Sequence, residues 1–453
     1  VARATGRNVR RAEESRAELW LWPVAAGAMA LGAGLLLSPL RPDEGTWLAR
    51  WAWPGDVDAA SAMLQTLTAA SIATITLTFS LTVVALQLAS QQFSPRLLRD
   101  FTRDRVTKSV LAVLVATFVF AVTVLRGLDA EREVPVPALL VAFALGVASV
   151  IAVLVFIDHI VRLLRVDTMM RVVHDEAARA IATFYPAYDD DRPRAPDELG
   201  PVDLGEGALV VARRSGFVRL VDVDTLVDLA AAHRVRVWVE SRPGDHVTVG
   251  APVATLLAAD GGAQRLGDEG LRRAVAEAVV LGYERTIEQD AAFGFRQLTD
   301  IAVKALSPGI NDPVTAVHAV GYASDLLVAL TGRHLGPTLH ADADGTGRVV
   351  VGDRDLRYYL DLVCGQVRRY GAREPTVLVA LLRMLRDVAV NARDEGQRAE
   401  VSRQVALVMD EMPDSLTKAD VDGVVDLATR VRAALDGDVG GAYRDRSGET
   451  RSL

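Results

Sequence analysis

The chain has 453 residues, half of them hydrophobic, with a net charge of -8 and a mean hydropathy of +0.22. This is apolar for a soluble protein and leaves room for a membrane unit plus one or two globular domains. The acidic balance gives no electrostatic basis for binding nucleic acid, and the lone Cys364 excludes an intrachain disulfide or a multi-cysteine metal site.

In chain order, a basic tail over 1–18 carries Arg3, Arg7, Arg10, Arg11 and Arg16. A transmembrane domain over 19–166 follows, with apolar spans over about 19–40, 62–90, 109–125 and 138–160. The first span is expected to be retained, because its apolar run is long and further spans follow. Its Ala26, Ala30 and Gly34, and Ala142, Gly146 and Ser149 of the fourth, set small residues on one helix face, where a neighbour can approach closely. Trp47, Trp51 and Trp53, between the first two spans, suit interfacial anchoring.

The second span is unusual: it has no charge from Met63 to Ala89 but many hydroxyls and amides. On a helix, Thr68, Ser71, Thr74, Thr78 and Thr82 share one face, and Gln65, Thr76, Ser80 and Gln87 share nearly the opposite one. A Ser or Thr can bond its own i−4 carbonyl. An amide such as Gln87 must find a partner or water in hydrocarbon. The basic segment after it, with Arg96, Arg99 and Arg103, would sit at an inner mouth.

Basic residues concentrate in the amino-terminal tail and in the loop between spans two and three, so the positive-inside rule places both termini in the cytoplasm, with four spans in the membrane. Asp158 and His159 end the fourth span. An ionisable pair inside the membrane is a proton-relay candidate, but a pair at headgroup level that simply ends the apolar run is the simpler reading. Helical spacing without Pro or Gly continues from there, predicting an unbroken stalk helix and linker over 167–202.

A β-rich domain is expected over 203–260, with turns at Pro243, Gly244, Asp245 and at Gly250. Its PGDHVTVGAPV stretch resembles the barrel-sandwich domain of biotinyl and lipoyl carriers and membrane-fusion proteins. Such carriers need a lysine at a hairpin tip, and none lies between 109 and 303, so the resemblance implies a fold without a swinging arm. A helical domain is expected over 268–437, opening with one long helix in which Leu271, Val275, Val279, Tyr283 and Ile287 recur at i+4 and which extends to Ala302. Pro308 and Gly309 break it, and Asp312 before Pro313 starts the next helix. Arg296, Asp300 and Lys304 read as a surface ion ladder; with Ser307, Asn311 and Asp312 they form a loop where a helix N-terminus could instead receive an anion. A hairpin over Leu339–Asp353 turns at Asp-Gly, helices follow over Leu356–Tyr370, Pro375–Ala392, Arg398–Glu411 and Lys418–Leu435, and a disordered tail is expected over 438–453.

FGFRQLTDIAVKALSPGINDPVTAV, Phe293 to Val317, and LTFSLTVVALQLASQQFSPRLL, Leu77 to Leu98, closely resemble the bacterial integral-membrane family catalogued as domain of unknown function 2254. The resemblance implies a four-span membrane protein with a cytoplasmic domain and brings no established activity. Where the family pairs histidines at the end of span four, this chain has Asp158 before His159, which speaks against a metal site there. The expected fold is therefore an α+β membrane protein: a four-helix transmembrane unit, a small barrel-sandwich-like β domain and a mostly helical cytoplasmic domain.

The chain lacks a Walker loop, a dinucleotide-binding glycine pattern, HExxH and GxSxG, so neither an enzyme nor a cofactor is expected. The expected function is a homo-oligomeric channel for an ion or small solute, regulated by its cytoplasmic domain. The alternative is a membrane-anchored sensor or scaffold that binds a ligand or partner.

Overall fold

The computed structural model describes residues 20–40, 56–92, 104–129, 134–163, 165–189, 207–259 and 262–444. The chain divides into two compact units, Val1–Thr168 and Met169–Leu453. The three loop tryptophans and most of the acidic linker lie outside the described residues.

The first unit is built from α1 (Leu21–Leu37), α2 (Val57–Gln92), α3 (Arg105–Arg126) and α4 (Val136–Leu163). Helix α3 packs against the other three. Small residues on α1 allow this: Gly27 lies against Val115 and Val119, and Gly34 against Thr123, where a Cβ would come within 2.9 Å of the threonine methyl. The approach face of α1 is thus Gly27, Ala30 and Gly34, with Ala26 half-buried beside it. On α4, Ala142 is buried, Gly146 sits over Leu67, and the Ser149 hydroxyl meets that of Thr117 at 2.8 Å. The outward surfaces stay apolar, with Met29, Leu36, Phe143, Val150 and Leu154 exposed.

Among the described residues four helices are long and apolar enough to cross a membrane: Val57–Gln87, Arg105–Arg126, Val136–Arg162 and Pro313–Thr331. Two points differ from the sequence expectation. The apolar run over about 19–40 yields the 17 helical residues of α1, about 26 Å at ~1.5 Å per residue. The Pro313–Thr331 helix belongs to the second unit, where Ala316, Ala319, Ala323, Leu326, Leu327 and Leu330 are buried. Its apolar length is used in a protein core.

The expected stalk is broken. Helix α4 is described to Leu163 and α5 runs over Val166–Phe184, with Arg165 before it non-helical and donating its N–H to the Arg162 carbonyl at 3.2 Å. No Pro or Gly in the sequence marks this interruption.

In the second unit a five-stranded sheet runs in the order β1 (Ala208–Val211), β5 (Pro252–Ala258), β3 (Val235–Val239), β8 (Gly347–Val351), β7 (Thr338–Ala341). A three-stranded sheet joins β4 (His246–Val247), β2 (Gly216–Val221) and β6 (Val279–Gly282). Strand β3 buries Val235, Val237 and Val239 in the period-two pattern and pairs in parallel with β8. The expected β region is therefore completed by β6, from the stretch expected to be one long helix, and by β7 and β8, the strands of the expected hairpin. Helix α6 (Val223–His233) is capped by Asp222 and ends at Arg234 in left-handed geometry.

The expected single helix from Leu271 to Ala302 is instead α7 (Glu269–Ala278), strand β6 and α8 (Ala291–Ala305). Val279 and Val280 carry β-favouring side chains, and pairing with β2 overrides the helical spacing of this stretch. Helix α9 (Pro313–Thr331), α10 (Leu356–Gly371), α11 (Pro375–Asn391), α12 (Glu395–Asp410) and α13 (Lys418–Leu435) complete the unit. The tail is ordered further than expected. Asp438 caps α14 (Val439–Ala442), and Tyr443 donates to Asp387 at 2.9 Å while Arg386 lies 4.4 Å from its ring centre.

Candidate functional site

Helix α2 separates its two polar faces. Ser71 and Thr78 are buried and Thr68, Thr74 and Thr82 half-buried, on the side that includes Leu64 and Ala85. Gln65, Thr76, Ser80 and Gln87 are exposed on the opposite side. The hydroxyls turn back on their own helix: Thr74 donates to the Ala70 carbonyl at 2.7 Å, Thr76 to Ile72 at 3.0 Å, Thr78 to Thr74 at 2.8 Å, Ser80 to Thr76 at 2.9 Å and Thr82 to Thr78 at 2.7 Å. Their donors are satisfied without a neighbour, although each oxygen keeps acceptor capacity. The Gln65 amide donates to Ser61 at 3.0 Å. Gln87 stands exposed near the end of the span. Arg96, Arg99 and Arg103 lie outside the described residues.

Asp158 and His159 point to different partners. Asp158, exposed, pairs with Arg162 one turn on. His159 Nε2 lies 2.8 Å from Asp104 Oδ2. Asp104 is the N-cap of α3 and also accepts the Val106 and Thr107 N–H groups and the Thr107 hydroxyl. His159 thereby sets the end of α4 beside the start of α3. Sequence reasoning missed Asp104, although the Asp-Arg-Val-Thr order before an apolar run is an N-cap signal.

The signature loop is built by capping. The Ser307 hydroxyl donates to the Lys304 carbonyl at 2.7 Å, Asn311 adopts left-handed geometry with φ 51°, and the Asp312 N–H returns to the Ala305 carbonyl at 2.8 Å. Asp312 caps α9 by accepting the Thr315 N–H and hydroxyl, which hold its carboxyl below its usual pKa. The anion position considered at this N-terminus is thus occupied by the chain's own carboxylate. Arg296, Asp300 and Lys304 are half-buried along α8. Gly294 of the same signature faces α5, where an added Cβ would come within 2.6 Å of the Ala177 methyl.

A buried ionic cluster went unseen in the sequence. Arg354, 4 % exposed, donates to the Pro243 carbonyl at 2.9 Å and to Asp245 at 3.1 Å, and pairs with Asp290 at 3.5 Å. Asp290 is 1 % exposed and also accepts Arg285 at 2.5 and 3.2 Å. The Pro243–Asp245 turn, with Gly244 at φ +89°, is thereby clamped to the starts of α8 and α10. The Tyr185 and Tyr359 hydroxyls meet at 2.6 Å, and burial raises both well above the usual tyrosine pKa. Burial also pushes the neighbouring Asp353 carboxyl up to about 6.

A cleft of about 460 Å³ opens between the segment after α5, the loop before β7 and the first turns of α10 and α12. Pro186, Leu335, Pro337, Leu339 and Leu356 line it, with Tyr188 stacked on His334 at 5.4 Å and 11°. Among the described residues no cluster of three metal-ligating side chains occurs.

The sequence model of the family described as "Predicted membrane protein (DUF2254)" matches residues 16–387. The chain belongs to this family. Uncharacterized proteins of Mycobacterium bovis and Mycobacterium tuberculosis are each 34% identical to it over 421 residues, covering 91% of this chain and 80% of theirs. No solved structure matches it.

Proposed function

We propose that this membrane protein is a homo-oligomeric permeation protein, with four spans, α1 to α4, in a bacterial plasma membrane and both termini in the cytoplasm. Two polar sides of α2 serve different ends in this reading. The inner hydroxyl face packs within the four helices, and the outer stripe, Gln65, Thr76, Ser80 and Gln87, lines a path shared between copies. The observation that carries it is the exposure of this stripe opposite Leu64, Ser71, Thr78 and Ala85. A side-chain amide left unpaired in hydrocarbon costs several kcal/mol, so a neighbouring copy or water must meet it. Small Ala62, Ala69 and Ala73 on the same side permit close approach.

The basic segment Arg96, Arg99 and Arg103 would then favour anions at the inner mouth. The second unit would regulate the path, without enzymatic chemistry or nucleic acid. Purified protein in liposomes is expected to pass an ion or small solute, with the flux altered by Gln87→Leu and Ser80→Leu; absence of flux under varied voltage, pH and tension would overturn the reading. The cleft of the second unit favours a second reading, a membrane-anchored sensor.

A further inference from the structure

We infer that the cleft beside Tyr188 and His334 is a binding site for a small organic anion carrying a planar ring. The inference deepens the sensor reading and holds whether or not α2 lines a path.

Size and lining come first. A volume of about 460 Å³ falls within the roughly 300–1,000 Å³ typical of small-molecule sites, which join apolar walls to a few convergent polar groups. Leu335, Pro337, Leu339 and Leu356 supply the apolar walls, and the near-parallel Tyr188 and His334 rings supply a flat one. The Tyr188 ring is held from behind by its hydroxyl, which donates to Asp394 at 2.9 Å, and the His334 backbone is fixed by its N–H to the Pro186 carbonyl at 2.9 Å. The wall is fixed before any ligand arrives, which lowers the ordering cost of binding.

The charges decide the sign. Asp355, Asp394 and Glu400 reach the cleft but are engaged within the fold. Asp355 caps α10 through the Tyr358 N–H at 2.9 Å, Asp394 caps α12 through the Gln397 N–H at 2.7 Å, and Glu400 accepts Arg403 at 2.7 Å. Arg333 is engaged too, donating to the Tyr185 carbonyl at 3.0 Å. Arg357 differs. Its side chain is 59% exposed and its ion-pair distances, 3.8 Å to Glu400 and 3.9 Å to Asp361, are too long for hydrogen bonds. The loosely held cation in the cleft is therefore Arg357, whose planar fork suits a carboxylate or phosphate. It stands in the first turn of α10, whose N-terminus Asp355 already caps, so the guanidinium itself supplies the positive charge. The ring would lie against the Tyr188 and His334 side and the anionic group at Arg357.

Calorimetric titration of the full chain in detergent tests this with 2-naphthyl phosphate, 2-naphthoate, the neutral 2-naphthalenemethanol and inorganic phosphate. The expected result is saturable binding of one or both ring-bearing anions, at least about tenfold tighter than that of the neutral analogue or of phosphate alone, a difference of about 1.4 kcal/mol. Preference for the phosphate ester or for the carboxylate identifies the anion, and either supports the inference. Arg357→Ala should weaken binding about tenfold at unchanged thermal midpoint, while Glu400→Gln, which removes a competing carboxylate, should strengthen it. No binding of either anion, equal binding of the neutral analogue, or indifference to Arg357→Ala would overturn the inference. None of these outcomes depends on flux through the membrane unit.

Discussion

Replacing Arg354 by Met removes the only cation that reaches Pro243, Asp245 and Asp290 together among the described residues. Methionine fills much of the volume, so the loss is electrostatic rather than a cavity. Asp290, 1 % exposed, keeps Arg285, but the Pro243 carbonyl loses its donor and Asp245 its bond to the core. Breaking a buried ion pair from one side costs about 3–5 kcal/mol. For a unit of this size, at roughly 2 °C per kcal/mol, the thermal midpoint of the second unit should fall by about 6–10 °C. Differential scanning calorimetry of the full chain measures the shift, and hydrogen exchange at Gly244 and Asp245 should rise before exchange in α11 does. A midpoint within about 1 °C of the parent for Arg354→Met would refute the clamp.

Gly294→Ala should destabilise the second unit by about 1–3 kcal/mol, since the new methyl meets Ala177 at 2.6 Å; Ala177→Gly in the same chain should recover most of that loss in denaturant titrations. Asp353 predicts a pH dependence. Its folded pKa of about 6 lies above the ordinary 3.8, so its contribution is fully present below about pH 4 and is lost as pH rises through 6. Asp353→Asn should remove that decline, seen as a smaller difference in thermal midpoint between pH 4 and 7 than in the parent.

Local patterns made the membrane helices, the last four predicted helices and the turn glycines legible in the sequence. Apolar runs, Asp and Thr caps and Pro-Gly punctuation act within a few residues of themselves. The Val279–Gly282 strand was not legible, because its helical spacing is real and only the distant β2 edge decides against it. Equally hidden was the parallel pairing of β3 with β8, which joins segments about a hundred residues apart. Nor does the sequence around Tyr443, which follows Gly-Gly-Ala, announce its partners Arg386 and Asp387 on α11. For the candidate site, the opposed faces of α2 followed from periodicity alone, whereas which face turned outward needed the packing on α3 and α4. The cleft draws on four separate segments and had no sequence signature.

Thiol accessibility along α2 tests the permeation reading most directly. Cys364 is fully buried with its thiol pushed up to about 12, so the native chain supplies a quiet background. In reconstituted vesicles, Thr76→Cys, Ser80→Cys and Gln87→Cys should react with a charged, membrane-impermeant methanethiosulfonate, while Leu77→Cys toward lipid and Thr78→Cys in the bundle should not. Labelling of Ser80→Cys no faster than that of Leu77→Cys would contradict a watered path along the outer stripe.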